Sequence, residues 1–224
     1  MKKTAILSVL VFGLTGALAA IPAFASSTLY TTLGPGGSYN ASGYFGVGGN
    51  YLTVADPFSL GAAATVSDAV LALGNVTNSY YVNDDPVSVF IESDSGGSPG
   101  SVLASLTQVG TIPSIGNGFD GGLVTFTCSG SACNLGAGSY WLVALESDSH
   151  TFQAWDYTYN SATSTIEASG IASATGPWSS APNNEEAFEI DGAGAPPVPE
   201  PSSFLLLASG LAGLAGMVKR KLRG

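Results

Sequence analysis

Between residues 4 and 218 this chain has no lysine and no arginine; its six basic residues are Lys2, Lys3, Lys219, Arg220, Lys221 and Arg223. All 16 acidic residues lie from Asp56 to Glu200, so the formal net charge of −10 understates the body of the chain. With His150 neutral, 16 acids and no base give about −16 for that stretch. Nucleic acid is excluded as a partner, because neutralising phosphates needs Lys or Arg. Anionic lipid surfaces are excluded for the same reason. A base-free acidic body attracts divalent cations instead. Histidine occurs once and cysteine twice. Two cysteines supply half of a structural zinc site, and the CxxC spacing is absent. The chain also lacks a GxSxG elbow, an HExxH pair and a P-loop, so the common hydrolase and nucleotide-dependent mechanisms have no starting point. A pair such as Glu146 and Asp156 has the residue types for glycoside hydrolysis, but acids this numerous fall near one another by chance. No enzymatic activity is expected.

Long helix-forming stretches of Ala, Leu, Glu and Lys are missing too, while Gly, Ser, Thr, Val, Tyr and Phe are frequent. That composition favours strands. Val87, Val89 and Ile91 alternate with Ser88, Phe90 and Glu92, the period of a half-buried strand. Leu123–Cys128 and Tyr140–Leu145 are the most apolar segments and read as central strands. Turn chemistry recurs about every ten residues, as at Ser93–Gly100; Gly34–Gly37 and Gly46–Gly49 are likewise read as turns. The expected fold is all-β: an antiparallel β-sandwich, jelly-roll-like, of about nine or ten strands, with a barrel as the alternative.

The two ends differ from this body. Lys2 and Lys3, the apolar run Ala5–Ala20 and the small-x-small site Ala23-Phe24-Ala25 have the form of a Sec signal peptide over residues 1–25. Residues 26–195 then form the β domain. Residues 196–224 carry Val198-Pro199-Glu200-Pro201, an uncharged apolar helix at 203–218 and the basic tail 219–223. The apolar run has 16 residues, short of the usual membrane span. The basic tail places the C-terminus in the cytoplasm and the body across the membrane.

This arrangement closely resembles the PEP-CTERM sorting signal of Gram-negative bacteria. The resemblance implies transient inner-membrane insertion through 203–218, processing by an exosortase, and a destination at the cell surface or in the extracellular matrix, with exopolysaccharide or biofilm as the setting. Thr31–Tyr39, Val87–Gly100, Tyr140–Ala144 and Phe152–Tyr157 also resemble the choice-of-anchor domains, the R type in particular, which accompany such signals and bring no catalytic residues with them.

Three groups of side chains are candidate sites. Cys128 and Cys133 are an even pair in an exported chain and are expected to form a disulfide. Glu92 and Asp94, then Glu146 and Asp148, each place two carboxylates at i and i+2 where a strand ends. Such oxygen-rich ends suit calcium, and equally form Asx-type turns. In the segment Thr151–Tyr159, strand alternation sets Gln153, Trp155, Tyr157 and Tyr159 on one face. That face is either a sugar-binding surface or core. Tyr80, Tyr81 and Trp178 are candidates to extend such a ring platform from loops, though the sequence alone does not bring them together.

Overall fold

The computed structural model describes residues 26–49, 52–82, 86–116, 121–146, 148, 150–158, 165–169, 173–182, 185–194, 209–211, 218 and 221. In chain order the strands are β1 (Ser27–Thr31), β2 (Tyr39–Gly48), β3 (Thr53–Leu60), β4 (Ala64–Val76), β5 (Ser88–Asp94), β6 (Pro99–Val109) and β7 (Ser114–Gly116). They continue as β8 (Gly122–Thr127), β9 (Asn134–Leu135), β10 (Gly138–Leu145), β11 (Phe152–Thr158), β12 (Thr165–Ser169), β13 (Ser179–Pro182) and β14 (Phe188–Gly194). Pairing is antiparallel except between β4 and β7.

The strands form one sheet in the order β1-β14-β4-β8-β6-β5-β10-β3-β12-β13, with β11 joining β2 to β4. β6 turns the corner: its residues from Pro99 to Leu106 pair with β5, and Thr107–Val109 pair with β8. On the far side β1 comes back toward β3, where the Tyr30 ring lies 6.0 Å from Phe58 and 5.5 Å from Phe188. The sheet is thereby nearly closed into a barrel. The all-β antiparallel class stands. In place of about nine or ten strands there are fourteen among the described residues, because the glycines of β2 hide it and β7, β9 and β13 are too short to show a period-2 pattern.

Gly36, Gly37, Gly48 and Gly49 have the positive φ expected of turns, whereas Gly46, read with them as part of a turn, lies within β2. Gly43 and Gly46 lie inside this ten-residue strand. A Cβ on Gly46 would come within 2.4 Å of the Phe152 ring, and one on Gly43 within 2.6 Å of the Tyr157 ring. Glycine here makes room for rings of β11 rather than for a turn. β8 and β10, the two most apolar segments, each have a neighbour on both sides.

The interior is filled by Leu71 and Leu73 of β4, Ile91 of β5, Phe126 of β8, Leu142 of β10, Trp155 of β11 and Phe188 of β14. Each aliphatic side chain buried this fully contributes roughly 1.5–3 kcal/mol. A second, smaller cluster sits on the opposite face of the β3–β10–β5 region: Ala55, Trp141 and Val143, with Phe90 and Trp178 packed against it. Strand alternation explains both clusters, since Leu142 and Ala144 face the interior while Trp141 and Val143 face outward and are covered.

Candidate functional site

The two acidic strand ends do not meet. β5 and β10 run antiparallel with Tyr140 opposite Ser93 and Leu145 opposite Ser88. Glu92 and Asp94 therefore lie at one end of this pair, and Glu146 and Asp148 beyond the other. Five residues of strand separate the ends, about 17 Å at the usual rise. One cation cannot bridge them. The members of each pair also differ in setting. Glu92 is fully buried, and Asp94 is exposed at the turn. Asp94 Oδ1 accepts a hydrogen bond from Trp141 Nε1 at 2.9 Å and another from the Gly97 amide at 3.2 Å. Glu146 Oε1 accepts from the Asp148 amide at 2.9 Å, and Asp148 Oδ1 from the His150 amide at 2.5 Å. The bonds from the Gly97 amide to Asp94 and from the His150 amide to Asp148 are the Asx-type turns that compete with the calcium reading. Among the described residues no three His, Cys, Asp or Glu side chains are grouped to hold a metal ion.

The acids that the sequence did not single out are more unusual. Asp56 of β3 and Glu186, just before β14, are both fully buried. The Glu186 amide donates to Asp56 Oδ2 at 2.5 Å, while both Glu186 carboxyl oxygens lack a partner among the described residues. Burial holds the Asp56 carboxyl well above the usual range. Burial, reinforced by Asp56 and Asp156, does the same to Glu186. The Tyr30 hydroxyl is pushed up to about 12, by burial first and then by Asp56 and Glu185. No lysine or arginine exists in the body to compensate any of these groups, so protons stabilise them. One sequence signal does mark Asp56: in β3 it falls at period-2 spacing with Val54 and Phe58, on the same face, which turns to the interior.

Glu92 is the third such group. Register places it beside Trp141, on the outward face of β5 with Phe90. Neither carboxyl oxygen has a partner among the described residues, and burial raises its pKa to about 7.

The proposed sugar face is core. Gln153 and Trp155 are 0% exposed. Trp155 Nε1 donates to the Ala187 carbonyl at 3.1 Å, and its ring meets Phe188 edge-on. Tyr157 is partly exposed, and Tyr159 lies outside the described residues. β11 is covered because β2 pairs along it on one edge and β4 on the other, while its Trp155 side turns inward.

A different set of rings reaches the surface. Tyr80, 52% exposed, lies 5.3 Å from the His150 ring and 5.0 Å from Tyr81. Tyr81 stacks on Phe152 at 5.0 Å with a 22° interplanar angle, and Phe152 meets Tyr44 edge-on at 6.0 Å. Gly46 and Gly49 let this row lie directly on the backbone: a Cβ at Gly49 would fall 2.5 Å from the Phe152 ring and 3.0 Å from the Tyr81 hydroxyl. Tyr80 and Tyr81 thus join Phe152 and His150, not Trp155 or Trp178.

Cys128 and Cys133 form a disulfide with a Cα–Cα distance of 6.0 Å. It closes the turn after β8 and sets β9 against the start of β4.

The sorting motif Val198-Pro199-Glu200-Pro201 and residues 1–25 lie outside the described residues. Within the apolar run and basic tail, Ser209–Leu211, Val218 and Lys221 are helical. Among the described residues no helix is long and apolar enough to cross a membrane. No curated protein matches the chain. Residues 197–221 match the PEP-CTERM protein-sorting motif, which indicates an exported protein whose C-terminal sorting signal is processed by an exosortase.

Proposed function

We propose that this protein is a non-enzymatic component of the cell surface or extracellular matrix, associated with exopolysaccharide or biofilm. The observation that carries the reading is the sorting motif at residues 197–221, followed by a body without a single lysine or arginine. The confinement of every basic residue to the two ends fits a division of labour: positive charge for export and sorting, and an acidic domain beyond the membrane. The body is read as a choice-of-anchor domain of the R type, carried over residues 26–195. A structural role is supported by the setting of the acids, because Asp56, Glu92 and Glu186 are shut away from solvent where no substrate reaches them. Carbohydrate binding is the second reading, favoured by the exposed rings around Tyr80.

The test follows two tags, one inserted at the exposed Gly96–Gly97 turn and one after Gly224. In cells with an intact exosortase, the first tag should reach the surface or medium without the second. Replacing Pro199, Glu200 and Pro201 by alanine should leave both tags on one membrane-bound chain. Surface material that keeps both tags would refute the sorting reading.

A further inference from the structure

We propose that Tyr80, Tyr81 and His150, backed by Phe152, form a binding site for a neutral saccharide; the proposal rests on the surface-matrix reading and names its ligand class. The site is built from two connections that are distant in sequence. Asn78 Oδ1 accepts from the amides of Tyr80 at 2.8 Å and Tyr81 at 2.9 Å, and the Asn78 amide donates to the Tyr81 carbonyl at 2.9 Å. This fixes the first connection without help from the core. The Val82 amide donates to the His150 carbonyl at 3.0 Å, which ties it to the second connection. The backbone that carries the rings is therefore set before any ligand arrives, so binding spends little backbone freedom on ordering it.

Tyr80 is 52% exposed and the His150 side chain 53% exposed, whereas Trp155 of β11 is fully buried. A half-exposed ring row beside polar groups suits a sugar, whose C–H faces lie against aromatic faces while its hydroxyls reach polar atoms at the edge. Here the edge is the Asp148 carboxylate, 3.7 Å from His150 Nδ1. Charge narrows the ligand further. An acidic sugar would meet Asp148 and find no lysine or arginine from residue 4 to residue 218, so electrostatics excludes an anionic chain and leaves a neutral one as the ligand class to test.

Native affinity electrophoresis of the full chain tests this with gels containing hydroxyethylcellulose, laminarin or dextran, and polygalacturonate as the acidic control. The wild type should be retarded by at least one neutral polymer and not by polygalacturonate. Tyr80→Ala should weaken that retardation roughly tenfold or more, as expected for the loss of one stacking ring, and Tyr80→Phe should preserve it. No retardation in any neutral gel would overturn the proposal, as would equal retardation by polygalacturonate or an unaffected Tyr80→Ala. The melting temperature of Tyr80→Ala should match the wild type because the ring lies on the surface, and Tyr80→Phe keeps the comparison valid if it does not. Export and processing are read separately from the two tags in cells, so failure of glycan binding leaves that reading intact.

Discussion

Replacing Glu92 by glutamine should make this protein more stable at pH 8 and leave it unchanged near pH 4. Glu92 is fully buried beside Trp141, both carboxyl oxygens lack partners among the described residues, and its pKa stands at about 7 instead of 4.5. A raised carboxyl pKa means that the folded state holds the proton more tightly than the unfolded state. The stability linked to that proton is fully present below about pH 4.5 and is lost as pH rises through about 7. At 1.36 kcal/mol per pH unit, a carboxyl pushed from 4.5 up to about 7 by burial means that ionising Glu92 costs the fold up to about 3 kcal/mol. Glutamine keeps the shape and never ionises. For a domain of this size, 3 kcal/mol corresponds to roughly 6–12 °C in Tm. Thermal unfolding of wild type and Glu92→Gln, followed from pH 4 to 8.5, should give curves that coincide at the acid end and separate through pH 5–7. Asp56 and Glu186 tilt both curves in the same direction and cancel from the difference. Repeating the series in about 0.5 M salt screens exposed acids and leaves a buried group almost untouched. A difference between the two proteins that is flat with pH would refute this account of Glu92.

Three further outcomes follow from packing. Trp155→Ala should cost roughly 3–5 kcal/mol, since the side chain is 0% exposed and its Nε1 is bonded to Ala187; denaturant unfolding measures this, and an unchanged midpoint would show that the ring is not core. Cys128→Ser opens a loop whose ends are five residues apart, which chain-entropy arithmetic values at about 2 kcal/mol; reducing agent should lower the wild-type Tm and leave the mutant's unchanged. Gly46→Ala drives a methyl to 2.4 Å from the Phe152 ring, so the ring must shift; Tm should fall by a few degrees, roughly 1–3 kcal/mol for an overpacked site, and retardation by neutral glycans should weaken with it.

The signal for export sorting and the all-β class are written in the residues alone. Sorting machinery reads a linear signal, so Val198–Pro201, the apolar run and the basic tail carry their meaning without tertiary contacts. Period-2 alternation at Val87–Glu92 and the apolar runs of β8 and β10 marked strands, because burial on one or both faces leaves its mark on the residues themselves. Tertiary structure decided what alternation leaves open: which face of a strand is covered. Gln153, Trp155 and Tyr157 share one face of β11, but the pairing of that strand between β2 and β4 made Trp155 core. The glycines of β2 look like turns in a linear reading, and only the rings of Phe152 and Tyr157 above them show why glycine is required. The antiparallel pairing of β5 and β10 separated the two acidic ends that look alike in sequence. It also took the whole fold to bring Asp56 to the Glu186 amide 130 residues away, and Tyr80 to His150. Contacts at such separations depend on how the chain closes, which no local pattern encodes.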